Sequence, residues 1–168
     1  MVNVVTSKTI FQPNTKTSQM KLIPTSIFVA LGSLSVFGQQ AKLTATKTVL
    51  APEGGSIKFT ATATYDERPG ALGWSISLPA GWSLRRTGGP NVPDISPIAS
   101  NSGKLEWAFI AAPASPAQFD FVLRYPANSS PSNNIQAELL LCTNGKTTVV
   151  PANHLVLRQL PARPELQP

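Results

Sequence analysis

The sequence predicts an all-β domain, an antiparallel β-sandwich of about nine strands, and three observations carry that expectation. The first is alternation. Ile57, Phe59, Ala61, Ala63 and Tyr65 fall on one phase while Lys58, Thr60, Thr62 and Thr64 fall on the other, as in a strand with one buried face. The second is punctuation: Pro52-Glu53-Gly54-Gly55, Arg68-Pro69-Gly70, Pro79-Ala80-Gly81, Gly88-Gly89-Pro90, Asn101-Ser102-Gly103 and Asn144-Gly145 fall between the alternating runs. Glycine supplies positive φ at such places, and proline fixes its own φ while withholding a donor. The third is that no ten-residue run from Gln39 onward keeps apolar side chains at helical spacing. Short strands separated by regular turns build a sandwich or a barrel.

Composition sets the outer bounds. The chain has 168 residues, which allows one ordinary domain. Charged residues make up 13%, about half the usual quarter. The single Cys excludes an internal disulfide framework, and with the single His it leaves too few soft ligands for a structural zinc site. The net charge is +6, but residues 1–38 hold Lys8, Lys16 and Lys21 with no acid, so half of the excess belongs to the N-terminal leader. The other basic residues are dispersed along the sequence apart from Arg85-Arg86. Nucleic-acid binding is therefore not expected, since phosphate neutralisation needs a clustered positive surface.

In chain order, residues 1–19 are polar without a hydrophobic face and read as a non-structural extension. Residues 20–38 read as a signal peptide: Met20-Lys21 gives a positive start, residues 22–37 are mostly apolar, and Val36 and Gly38 are small enough for the two recognition subsites of a signal peptidase. The sequence leaves both Met1 and Met20 open as the start. A retained anchor is the weaker reading, because the run is shorter than the roughly 20 residues that span a bilayer and is interrupted by Pro24. Processing would leave no stable membrane span and a chain that begins near Gln39.

The domain is expected over residues 39–158, with strands at 42–50, 57–65, 73–78, 82–87, 104–110, 118–125, 135–142, 146–150 and 154–158. Asn144-Gly145 between two strand-like runs is the strongest hairpin signal, because a type I′ turn favours that pair. Leu139, Leu140, Leu141 and Cys142 are apolar on both phases, which predicts a central strand. Three inward sets supply the core: Trp74, Ile76 and Leu78; Leu105, Trp107 and Phe109; Phe119, Phe121, Leu123 and Tyr125. Each large apolar side chain buried there contributes roughly 1.5–3 kcal/mol. Residues 159–168 form a Pro-rich tail.

Chemistry-bearing residues are few. A nucleophilic site would have to combine His154 with Cys142 or a serine and an acid such as Asp120 or Asp94, and no nucleophile-elbow motif is present. His154 reads as a surface or turn residue and Cys142 as a small buried hydrophobe. Glu106 lies on the polar phase of its strand and Asp66-Glu67 in a turn, so solvated charge explains them better than paired catalytic carboxylates. No calcium loop or phosphate-cradling glycine loop is present. No catalytic residue, metal ligand or cofactor site is assigned. Trp74 and Trp107 are in phase with the core. Trp82 follows a turn; core packing is the expectation there too, but an exposed Trp82 together with Arg85 and Arg86 would form the first ligand patch, since aromatic rings stack on sugars. Asn128-Ser129-Ser130 matches a glycosylation sequon that has meaning only in a eukaryotic secretory host.

The run from Lys47 to Thr64, with Ala51-Pro52-Glu53-Gly54-Gly55 leading into the alternating strand, resembles the opening of Ig-like repeats in bacterial cell-surface proteins. Ile76-Ser77-Leu78-Pro79-Ala80-Gly81-Trp82-Ser83-Leu84 is similar to the strand-turn-strand of those repeats, and Lys104–Phe109 and Phe119–Ala127 fit their later strands. Cohesin modules, also nine-stranded sandwiches, are a more distant resemblance, because the turn after Ser75-Ile76-Ser77-Leu78 differs from their usual acidic one. The resemblance implies an Ig-like sandwich that is secreted, periplasmic or at the cell surface, with a noncatalytic binding or structural role in adhesion or protein assembly. It also implies a surface protein or a polysaccharide as partner. The alternative functions are a carbohydrate-binding module and, further off, a small secreted hydrolase. Repeats of this kind often stand in tandem, whereas this sequence carries one copy.

Overall fold

The computed structural model describes residues 38–161 except residue 128. The expected extension, the signal peptide up to residue 37 and the tail beyond residue 161 lie outside the described residues. Ten strands follow one another without a helix among the described residues: β1 (Gln40–Ala45), β2 (Val49–Leu50), β3 (Gly55–Thr64), β4 (Ala71–Ser77), β5 (Ser83–Gly88), β6 (Lys104–Phe109), β7 (Ala117–Tyr125), β8 (Ser132–Thr143), β9 (Lys146–Pro151) and β10 (Leu155–Gln159). They form two sheets. Sheet one has the order β1-β3-β7-β5, and sheet two the order β2-β10-β8-β4-β6, with β9 also paired to β8. All pairings are antiparallel except β2 with β10. The fold is the expected all-β sandwich.

The strand expected at 42–50 is in fact two. Leu43 and Leu50 are both fully buried, yet seven residues apart they would face opposite sides of one continuous strand. The chain resolves the conflict by leaving sheet one after Ala45 and joining sheet two at Val49, where it runs parallel to β10. The parity break is visible in the sequence, and it raises the strand count to ten.

β8 is central, as its apolar content predicts. It pairs with β4 on one side; on the other it pairs with β10 through Ser132–Ile135 and with β9 through Glu138–Thr143. Asn144 (φ 52) and Gly145 (φ 74) make the β8–β9 turn, and positive φ at both central residues is the type I′ requirement that Asn-Gly meets. The link from β9 to β10 also joins the two sheets. Leu43 of β1 donates its N–H to Asn153 Oδ1 at 2.7 Å, and Asn153 Nδ2 donates to the Leu43 carbonyl at 3.0 Å. The side-chain amide thus takes the place of a neighbouring peptide on the edge of β1.

The core lies between the sheets. Phe59 and Phe121 stack at 5.1 Å, and Trp107 of the opposite sheet packs on Phe119 at 5.4 Å and Phe121 at 5.0 Å. Trp107 Nε1 donates to Thr87 Oγ1 at 2.9 Å, so this indole is paired as well as buried. All the predicted inward sets are buried except Leu78, which is only partly covered at the end of β4.

Candidate functional site

The two outer faces differ in chemistry, and sheet one is the polar one. Its outward phase carries Ser56, Lys58, Thr60 and Thr62 on β3 and Gln118, Asp120, Val122 and Arg124 on β7, with Lys42 on β1. Register places Arg124 between Ser56 and Ser83, and Val122 between Lys58 and Arg86. Arg85 and Arg86 are consecutive, yet both are exposed. The cause is a register shift between Leu84 and Arg86: a β-bulge adds one residue and re-aims its neighbour, so that Leu84 and Thr87 both still face inward. Arg85 Nη1 donates to Ser56 Oγ at 3.3 Å, which carries its guanidinium across β7. Thus the fold brings Lys58 and Arg124 to the arginine pair. Sequence order concealed this, because β3 and β7 are about sixty residues apart; the signal was the shared outward phase of Lys58 and Arg124 on two predicted strands.

Asp120 is the one carboxylate on this outward phase. It accepts from Lys58 Nζ at 2.7 Å and from Thr60 Oγ1 at 2.7 Å. Burial pushes its carboxyl up, but the bonds from Lys58 and Thr60 and the Lys58 charge outweigh that and hold it below the ordinary value. Among the described residues only two ion pairs form, Lys58–Asp120 and Lys104–Glu106. Arg85, Arg86 and Arg124 therefore have no carboxylate partner there. An open depression of roughly 1080 Å³ lies at the Arg85–Arg124 end, and a smaller hollow of roughly 110 Å³ lies beside Lys58 and Arg86. Gly54 helps shape the first: at φ +84, a Cβ on it would stand 2.7 Å from the Ala127 nitrogen.

Trp82 is not part of this surface. Its exposure is 0%, and its ring packs on Tyr125 with centroids 5.4 Å apart. The Pro79–Gly81 turn, closed by a Trp82 N–H to Pro79 carbonyl bond of 3.2 Å, directs Trp82 inward on the same phase as Leu84. Core packing, the expectation for Trp82, is what the structure shows, so the patch conditional on its exposure is corrected by the loss of Trp82, while Arg85 and Arg86 are exposed. The nucleophilic candidates are not brought together. Asp120 lies on the outer face of sheet one, Cys142 on that of sheet two, and His154 is exposed in the link between β9 and β10. Asp94 accepts the Ile110 N–H at 2.8 Å. Cys142 is half-buried rather than buried, because it stands on the outward phase of β8.

The outer face of sheet two is apolar across its middle. Consecutive pairings join Ile95 to Ala108, Ala108 to Gly73, Gly73 to Leu140 and Leu140 to Val149. These five residues form a row that crosses β6, β4, β8 and β9, with no polar side chain along it. Ile95 is 58% and Val149 53% exposed. Gly73 leaves a hollow of roughly 320 Å³, lined also by Ile95, Ala108, Leu140 and Glu106. The next row on one side holds Glu106, Ser75 and Glu138, and on the other Ala71 and Cys142. Leu140 was read as a mark of central position in the sheet. Central position protects a strand's edges, however, and leaves its outer face open; the glycine inside β4 was the clue to a hollow.

No protein-family model matches the chain, and comparison with curated proteins finds no match. Among solved structures, the chain is similar to a cohesin module from a Clostridium perfringens family 33 glycoside hydrolase, with a TM-score of 0.52 at 12% identity over 74% of this chain and 99% of that one. It is also similar to a non-cellulosomal cohesin from the archaeon Archaeoglobus fulgidus, with a TM-score of 0.46 at 12% identity over 73% and 92% of the two chains. A third similar structure is the full-length major pilin of Corynebacterium diphtheriae, with a TM-score of 0.49 at 11% identity, where the match covers 70% of this chain and 35% of the pilin. The fold resemblance to cohesins read from the sequence is met by the first of these structures.

Proposed function

We propose that the chain is a noncatalytic assembly module that acts outside the cytoplasm and docks a protein partner on the outer face of sheet two. The observation that carries this reading is the row from Ile95 to Val149. A solvated sheet face ordinarily carries side chains such as those of sheet one, with threonine, serine and lysine alternating against the core. Here one row of that phase is apolar across four strands and is indented at Gly73, a shape that accepts one protruding apolar side chain. Burying an anchor in a desolvated central hollow is how protein interfaces concentrate their affinity. Glu106 and Glu138 flank the row and favour a partner with basic residues at the matching rim. Export, expected from residues 20–38, supports the same reading, as does the likeness of fold to a cohesin module.

The test places a photo-cross-linking amino acid at Val149 or Ile95, and separately at Lys42 on the opposite sheet, in the native host. One discrete adduct from Val149 and Ile95, lost on Leu140→Lys, is the expected result. Equal capture of that same partner from Lys42, or an adduct indifferent to Leu140→Lys, would overturn docking through this face. The cell fraction and N-terminus of the same material test export: a cytoplasmic chain with an intact leader would overturn that part.

A further inference from the structure

We propose that the outer face of sheet one binds a linear acidic polysaccharide, independently of protein docking on sheet two. Five cations, Lys42, Lys58, Arg85, Arg86 and Arg124, share this face with one carboxylate, and that carboxylate is already tied to Lys58. Glu53 lines the depression at one end and is the only acid there among the described residues. Three arginines are left without a carboxylate partner among the described residues. The guanidinium fork suits the two oxygens of a uronate carboxylate or a sulfate. Neighbouring strands are about 4.8 Å apart and alternate residues of a strand about 7 Å apart. The pairings of Arg124 with Ser83 and of Arg86 with Val122 therefore place the three arginines within the span of a few sugar units on one face.

The rest of the face matches a sugar chain better than other polyanions. Ser56, Ser83, Thr60, Thr62 and Gln118 offer hydroxyl and amide groups to ring hydroxyls. All nine aromatic rings of the described residues are buried, so nothing stacks on unpaired bases, the main source of affinity in single-strand nucleic-acid binding. None of the large exposed apolar residues belongs to β1, β3, β5 or β7, and the one apolar residue on the outward phase of β7 is the half-buried Val122, so the strands of this face present no wedge to insert into a lipid surface.

The experiment measures binding of the purified full chain to polygalacturonate, dextran sulfate, neutral dextran and oligothymidylate at rising salt. Binding to one or both acidic polysaccharides, absent for neutral dextran and weakened by salt, is the expected result, and their ranking names the anionic group. The triple variant Arg85→Ala, Arg86→Ala, Arg124→Ala should weaken binding roughly tenfold or more at low salt. The control Lys104→Ala, Lys146→Ala, Arg158→Ala removes the same charge from sheet two and should leave binding within about twofold. If the arginine triple does not fold, Arg85→Ala and Arg124→Ala carry the test singly. Equal weakening by the control would reduce the effect to net charge and overturn the site. Tighter binding of oligothymidylate would overturn the polysaccharide, and no binding to either acidic polymer at low salt would overturn the proposal outright.

Discussion

Replacing Asn153 by alanine removes a side chain that hydrogen-bonds the β9–β10 link to β1. Two hydrogen bonds are lost, 2.7 Å from the Leu43 N–H and 3.0 Å to the Leu43 carbonyl, between residues 110 positions apart. A typical intramolecular hydrogen bond contributes about 0.5–1.5 kcal/mol net, so the pair predicts a loss of about 2 kcal/mol. Water can reach the edge of β1 once the amide is gone, which keeps the loss below the full desolvation cost of two buried groups. Urea unfolding should show a lower midpoint at an unchanged slope, because the surface exposed on unfolding is nearly the same. The Leu43 amide should exchange with deuterium faster, with little change at Phe121 in the sheet interior. Asn153→Asp keeps an acceptor for the Leu43 N–H but sets a carboxylate against the Leu43 carbonyl, so it should not recover the loss. A change under about 0.5 kcal/mol, or unaltered exchange at Leu43, would refute the idea that this amide substitutes for a neighbouring strand.

Two further outcomes follow from buried and half-buried polar groups. Trp107→Phe should cost about 1–2 kcal/mol more than Trp82→Phe by thermal or urea denaturation. Both lose similar ring area, but Trp107 Nε1 is bonded to Thr87 whereas Trp82 Nε1 is buried with no partner among the described residues, so only the second substitution relieves an unmet donor. Asp120 gives the pH dependence. Its carboxyl is held below the ordinary value in the fold, so its contribution is present above the unfolded pKa and is lost as pH falls through the folded one. The stability gap between the protein and Asp120→Asn should therefore be steady near neutrality and close below about pH 4. High salt should narrow it at neutral pH, since the Lys58 side chain is 47% exposed. A gap that widens in acid would contradict this assignment.

The local structure of this chain was legible in the sequence. Alternation from Ile57 to Tyr65 and in Trp74, Ile76, Leu105, Trp107, Phe119 and Phe121 named both the strands and their inward faces, and Asn144-Gly145 named its hairpin. Turn residues and a period of two are local properties, fixed by φ preference and by the geometry of an extended backbone. Even the error over 42–50 was local, since the buried phases of Leu43 and Leu50 conflict within a single strand.

Neighbourhood across strands was decided only by tertiary structure. Period two assigns a side chain to a face but not to a partner, and sheet order comes from pairings between distant segments. So Arg85-Arg86 appeared as an isolated basic pair until β7 brought Arg124 beside it and β3 brought Lys58. The bulge at Arg85, which turns both arginines outward, exists only in register with β7. Likewise Ile95, Ala108, Gly73, Leu140 and Val149 come from five separate stretches of sequence and become one apolar row through four pairings. Trp82 was decided in the same way: its place in a turn leaves its exposure open, and the packing of Tyr125 against its ring buries it. The sequence by itself determined which residues face the core; which residues meet on the two outer surfaces was determined by the long-range register of the sheets.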